Sequence, residues 1–271
     1  TPEIFTNEEQ EAAGETDEDL SVFGSEEILE FNDAPDEAMA AAENAQIKVI
    51  DLTNNIAGGG YTITSAGDYK FTCSNSQETA NRIVIDGASI PAQNRINIYL
   101  NNVNINTSAD PALQIQSSVQ AQVYIYLEGI NNLNSEKRAA LQTDSAAKLT
   151  IDNSPDNSPN TTGELIATGS FGAGIGGDQW KSSSDITIRG GSVTATSSSG
   201  AGIGGGRGQT SGNITIRGGS VTATSGSGAG IGGGQGSNGS NITIRGGSVT
   251  ATSDSGAGIG GGSNRGGGSE I

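Results

Sequence analysis

Three near-identical units occupy the last third of the chain. They read DITIRGGSVTATSSSGAGIGGG at Asp185–Gly206, NITIRGGSVTATSGSGAGIGGG at Asn213–Gly234 and NITIRGGSVTATSDSGAGIGGG at Asn241–Gly262, with an offset of 28 residues both times. Self-similarity at a short fixed period is the mark of a solenoid, in which each unit buries its apolar face only by stacking on its neighbours.

The period also fixes the kind of solenoid. Each unit holds three short alternating segments, NITI, SVTATS and GAGIGG, separated by Gly/Ser-rich breaks. Alternation with β-branched Ile, Val and Thr predicts strands, and no segment is long enough for a helix. Three strands per turn make a parallel β-helix of triangular section, with equivalent residues stacked ~4.8 Å apart. Alternation points Ile214, Ile216, Val221, Ala223, Ala229 and Ile231 inward, and Thr215, Arg217, Thr222 and Thr224 outward. By the same rule Gly228, Gly230 and Gly232 face outward and make a strip without side chains. A narrow interior of small residues accounts for 43 glycines and only 4% aromatics.

Upstream the pattern persists with less identity. INIYLNNVNI (Ile96–Ile105), VYIYLEGINNL (Val123–Leu133) and KLTIDN (Lys148–Asn153) precede DITIRGG, while PALQI (Pro111–Ile115) and AALQT (Ala139–Thr143) stand in the place of AGIGG. GELIATG (Gly163–Gly169) is a divergent GGSVTAT, and YTITS, YKFTC and RIVIDG read as earlier, irregular coils. The count is about seven coils over residues 47–271, a rod of roughly 35 Å, regular from about residue 185. Cys73, two residues after Phe71, is expected inside as a small buried hydrophobe. The loop SPDNSPNTTG (Ser154–Gly163) reads as a surface excursion between coils.

Residues 1–46 form a second region. They carry 15 Asp/Glu and no Lys/Arg, whereas the other 225 residues hold the remaining 15 acids and all 13 bases. The net charge of −17 therefore belongs to this N-terminal tail. DEAMAAAENA (Asp36–Ala45) favours a short helix with acids in its first turn, suited to capping the open end of a solenoid. An acidic chain repels nucleic acid and anionic lipid. No apolar run reaches the ~18 residues of a membrane span, so neither nucleic acid nor membrane insertion is expected. The absence of histidine and the single cysteine remove zinc clusters and disulfide frameworks. A start at Thr1 and an end at GGSEI, like the opening of another repeat, lead us to expect a piece of a longer exported protein, extracellular and secreted or cell-wall attached.

Four surface features are candidates for function. Arg189, Arg217 and Arg245 project as a column, continued upstream by Asp152, Glu128 and Asn101; repeated basic prongs suit a polyanion such as an acidic polysaccharide, and a docked acidic tail is the competing reading. Tyr99 and Tyr126 share a column that becomes Thr150, Thr187, Thr215 and Thr243, with Tyr124 beside it. Exposed stacked rings suit sugar faces, Trp180 could add to them, and plain stiffening of the sheet by Tyr packing is the alternative. Thr194/Thr196, Thr222/Thr224 and Thr250/Thr252 make a TxT array of the kind that can match ice, threonine also being an ordinary choice for an exposed strand. The glycine strip is either a close-approach surface for the tail, a ligand or a second copy, giving self-association, or a requirement of sharp bends. Catalysis finds little support: the strand acids Glu128 and Asp152 stand apart, and GGQGSNGSN lacks the aspartate of the calcium-binding nonapeptide.

The Tyr61–Ile85 opening (YTITSAGDYKFTCSNSQETANRIVI), the INIYLNNVNI coil and the GAGIGGG…NITIRGGSVTAT tandem together resemble the β-helix modules of large secreted or cell-wall-attached proteins from gut and cellulolytic Gram-positive bacteria. The resemblance covers nearly all of residues 47–271. It implies an all-β, right-handed, single-stranded parallel β-helix of the pectate-lyase-like kind. It also implies a carbohydrate-binding role, since one related clostridial group is regarded as binding carbohydrate, with calcium and acidic plant polysaccharides implicated. That group's calcium ligands match no residues here, so no cofactor is expected beyond what the resemblance suggests. The expected function is a non-catalytic binding or adhesion module for polysaccharide or a cell-surface glycan, the alternatives being a structural stalk and a degenerate polysaccharide lyase.

Overall fold

A computed structural model describes residues 46–263 except residues 55, 57, 145 and 158–160. The helix expected at Asp36–Ala45, the rest of the acidic tail and the GGSEI end lie outside the described residues.

Among the described residues the chain forms 22 strands in three sheets, every pairing parallel. The first sheet stacks β1 (Lys48–Asp51), β3 (Gly67–Thr72), β5 (Arg95–Asn101), β8 (Gln122–Glu128), β11 (Lys148–Asn153), β14 (Asp185–Ile188), β17 (Ile214–Ile216) and β20 (Ile242–Ile244). The second stacks β6 (Asn104–Thr107), β9 (Ile130–Ser135), β12 (Glu164–Thr168), β15 (Ser192–Ser197), β18 (Ser220–Ser225) and β21 (Ser248–Ser253). The third holds β2 (Gly60–Ile63), β4 (Arg82–Ile85), β7 (Leu113–Ile115) and β10 (Leu141–Thr143), followed by the two-residue strands β13 (Ile175–Gly176), β16 (Ile203–Gly204), β19 (Ile231–Gly232) and β22 (Ile259–Gly260). From β3 onward each turn visits the first face, then the second, then the third, with Thr79 supplying a single bridge to Ile105 where a second-face strand is lacking. This is a β-solenoid of about seven turns, as the repeat predicts.

The inward residues are those that alternation selects. Ile186, Ile214 and Ile242 stack in one ladder, Val193, Val221 and Val249 in a second, Ile203, Ile231 and Ile259 in a third. Phe71, Leu100 and Leu127 widen the interior of the earlier coils, and all three are fully buried. Each such side chain contributes roughly 1.5–3 kcal/mol when removed from water. Cys73 lies inside, its sulfur accepting the Asn104 N–H at 3.3 Å, and burial raises its thiol pKa.

The glycine strip is not a surface, which corrects the sequence reading. In GAGIGGG only an Ile-Gly pair is strand, and the glycines flanking it are buried. A Cβ on Gly202 would sit 2.7 Å from Gly230 O and 2.7 Å from Thr224 N, so backbone of the next coil already fills that space. Gly204 adds a φ of +135°, a conformation L side chains rarely adopt. These glycines are required by contact between coils, and they leave no strip for self-association.

A hydroxyl column, buried at Ser197 and Ser225 and not foreseen from sequence, ties the second face to this segment. Ser197, Ser225 and Ser253 donate to the carbonyls of Gly172, Gly200 and Gly228 at 2.7, 2.7 and 2.6 Å. In earlier coils Ser135 donates to Asp110 O at 2.8 Å, and Thr107 donates to the same carbonyl.

Gly202→Ala is expected to lower the unfolding free energy strongly, whereas Thr222→Ala on the open face stays within about 0.5 kcal/mol of the parent. Ser225→Ala, which strips a buried carbonyl of its donor, is expected to cost about 1–3 kcal/mol. Urea unfolding followed by circular dichroism measures all three.

Candidate functional site

The outward side of the first sheet carries most of the candidate residues, and its register places them differently from the sequence reading. Pairing runs Lys70–Tyr99–Tyr126–Asp152. Ile151, Ile188, Ile216 and Ile244 are also in register. Arg189, Arg217 and Arg245 follow directly, their amides donating to Ile151 O, Ile188 O and Ile216 O at 2.9, 2.8 and 2.8 Å. Tyr99, Tyr126 and the arginine candidates therefore form one column, Lys70–Tyr99–Tyr126–Asp152–Arg189–Arg217–Arg245. Glu128 and Asn101 do not belong to it, and Tyr99 and Tyr126 do not continue into the threonines. The threonine column is Asp68–Asn97–Tyr124–Thr150–Thr187–Thr215–Thr243. The expected alignment is off by two residues. A slip of two keeps every side chain on its own face, so alternation cannot detect it.

At the N-terminal half of the column the rings are packed, not splayed. Tyr99 and Tyr126 stack with centroids 5.0 Å apart at 25°, and Tyr124 and Tyr126 lie 6.2 Å apart at 18°. Arg95, absent from the sequence candidates, organises them. Its guanidinium carbon sits 3.5 Å from the Tyr124 ring centroid, one nitrogen donates to Tyr126 Oη at 2.6 Å, and Nε donates to Asn97 Oδ1 at 2.8 Å. Asn97 in turn donates to Asp68 Oδ1 at 2.6 Å. Tyr124 and Tyr126 retain only 8% exposure each, so their faces are spent on one another and on Arg95. Tyr99 is half-buried. Arg95 shares outward parity with Asn97 and Tyr99, the one signal in the sequence that could have found it.

Electrostatics follow from that packing. Burial first, then the nearby Asp68 carboxylate, pushes the Tyr99 hydroxyl up to about 12. Burial also raises Tyr126, with Arg95 pulling the other way. Burial raises Asp152, offset by the Asn153 amide and by Arg189. Glu128 is no isolated acid: it pairs with Lys70 Nζ at 2.5 Å and accepts from Ser154 Oγ at 3.1 Å. Arg189, Arg217 and Arg245 are exposed at the other end of the column.

Trp180 lies apart, on the turn from β13 to β14, in neither column. Nearby, Arg138 pairs with Asp178 at 2.8 Å and Lys181 with Asp144 at 2.7 Å. A hollow of about 390 Å³ opens on the third sheet beside Gly59, Thr62, Val84 and Asp110, where Arg82 is already engaged by Asp110 at 2.9 Å and by Gln114. Among the described residues no three Asp, Glu, Cys or His side chains converge, and the buried acids Asp144 and Asp178 are held by basic partners. These residues do not fit a calcium ion.

Residues 57–264 match a family described as carbohydrate-binding domain-containing protein. No curated protein and no solved structure matches the chain.

The Tyr99 environment sets a pH dependence. A phenol whose folded pKa is raised above its unfolded value of about 10 contributes stability that is complete below pH ~10 and is lost as pH rises toward 12. Ultraviolet titration is expected to show one phenolate emerging near pH 12 that Tyr99→Phe abolishes; its emergence near 10 would contradict the packing described.

Proposed function

The chain belongs to the carbohydrate-binding domain-containing family, and from that premise we propose that its solenoid is a non-catalytic module holding polysaccharide along the outward face of the first sheet. The observation that carries this reading is the single column in which aromatic, acidic and basic side chains succeed one another coil by coil. Its exposed half offers Arg189, Arg217 and Arg245 at the ~4.8 Å coil spacing, close to the rise per sugar of an extended glycan. Guanidinium forks bind carboxylates through paired hydrogen bonds, which favours uronate-bearing chains. The flanking Thr187, Thr215 and Thr243 add hydroxyls for neutral positions. Tyr99, Tyr124 and Tyr126 support the face through packing rather than by offering free rings. Such a module suits a secreted or cell-wall-attached bacterial protein that adheres to glycans. Among the described residues no helix is long and apolar enough to cross a membrane.

Calorimetric titration with polygalacturonate tests the reading. Saturable binding is expected to weaken about three- to tenfold in Arg217→Ala, the loss of one charge-assisted contact, and to weaken further with salt. Silence across a glycan array would favour a stalk, and release of unsaturated uronides would overturn the non-catalytic assignment.

A further inference from the structure

Around β13 the chain departs from the repeat at several positions, and two of the departures are aromatic: Phe171 before the strand and Trp180 after it. Aligned on the tandem units, Phe171 stands where Ser199 and Ser227 follow, and Trp180 stands where Gly208 and Gly236 follow. The two glycines have φ of +80° and +85°, and Trp180 keeps that conformation with φ +64°. A bulky side chain in the left-handed region is an outlier, and such strain gathers at functional sites. Both aromatic residues are tied to Arg207. Arg207 donates its amide to Phe171 O at 3.0 Å, Trp180 donates its amide to Arg207 O at 3.0 Å, and the Arg207 guanidinium lies 6.0 Å from the Phe171 centroid.

The ring is placed as a ledge. Its benzene edge rests on Gly208, where an added Cβ would come within 2.3 Å of Cζ3. Even so, Trp180 is 63% exposed and Phe171 39% exposed. The hydrogen-bonding groups beside the turn are mostly amide and hydroxyl: Ser182 Oγ donates to Gln209 Oε1 at 3.3 Å, and Thr210 is exposed beside it. Of the two adjacent cations, Arg207 faces Phe171 and Lys181 is held by Asp144. The nearby acids Asp144 and Asp178 are already paired with Lys181 and Arg138. An exposed indole flanked by amide and hydroxyl groups suits a pyranose ring, whose C–H face packs on the π face while its hydroxyls find partners at the rim.

We propose that Trp180, supported by Gly208, tied through Arg207 to Phe171 and followed across the coil by Gln209 and Thr210, is a stacking subsite for a neutral pyranose, separate from the arginine face. The subsite rests on the family's carbohydrate-binding character. It adds a contact for uncharged sugar to a surface otherwise read as selecting charged chains.

Trp180 is the chain's single tryptophan, so its emission reports this site alone. Cellohexaose, xylohexaose and mannohexaose are titrated in turn, with binding scored by calorimetry and Trp180 by emission and acrylamide quenching. At least one is expected to bind, shift the emission to the blue and protect the ring from quencher. Trp180→Gly, which installs the residue of the following coils, is expected to weaken that binding at least tenfold without lowering the melting temperature; Trp180→Phe retains part of it. A hexasaccharide that binds while emission and the Trp180→Gly affinity stay unchanged overturns the ledge. Failure of all three to bind overturns it too, and polygalacturonate, measured in parallel, then decides independently whether the arginine face stands.

Discussion

Successive turns of this chain hydrogen-bond to one another through parallel backbone, and the register of those bonds decides which side chains become neighbours. In a solenoid the nearest residue in space is usually one period away in sequence, so a ladder rather than a local motif is the unit of surface chemistry. The interior obeys the same rule: Ile stacks on Ile, Val on Val and Ala on Ala through the tandem coils. Where coils touch through backbone alone, as at Gly202, the contact excludes any side chain. The glycines that make this composition unusual are thus packing residues, and the serines beside them satisfy the carbonyls that so close an approach would otherwise strand.

The first sheet shows how that constraint reaches function. Its N-terminal half is stiffened by three tyrosines and Arg95, with Lys70 and Glu128 paired beneath. Its C-terminal half lacks large rings and presents arginine and threonine to solvent. One column thereby grades from a packed, rigid segment to an open, basic one. Rigid placement of the basic groups limits the entropy lost when an extended polymer is bound. The second sheet, with its threonine ladders, and the third, with its glycine turns, offer less charge, and the aromatic exception at Trp180 interrupts the third at a corner.

The fold was almost wholly legible in the sequence. The 28-residue period, the alternation within NITI and SVTATS, and the equivalence of PALQI and AALQT to AGIGG all correspond to observed pairings. Two things were hidden. The glycine strip was assigned to the surface because alternation was extended through a segment that is mostly turn. The columns of the first sheet were mis-stacked by two residues because β8 carries an additional inward leucine, Leu127, which alternation alone cannot place against Ile151 or Asn153. Arg95 escaped notice because its partner Tyr126 lies 31 residues away and nothing local marks the contact. Trp180 stands out in the sequence as the single tryptophan, but that it holds the left-handed conformation of the glycines in its place downstream is visible only in φ.

Disulfide trapping tests the register most directly. In-register neighbours on adjacent parallel strands lie within the Cα separation that a disulfide spans, roughly 4.4–6.8 Å, whereas partners two residues out of step lie beyond it. Cys73 is buried and stays out of the exchange. Under mild oxidation the Tyr126→Cys/Asp152→Cys pair is expected to close quantitatively and the Glu128→Cys/Asp152→Cys pair to remain reduced. The reverse outcome would dissolve the joint tyrosine–arginine column and the binding face built on it.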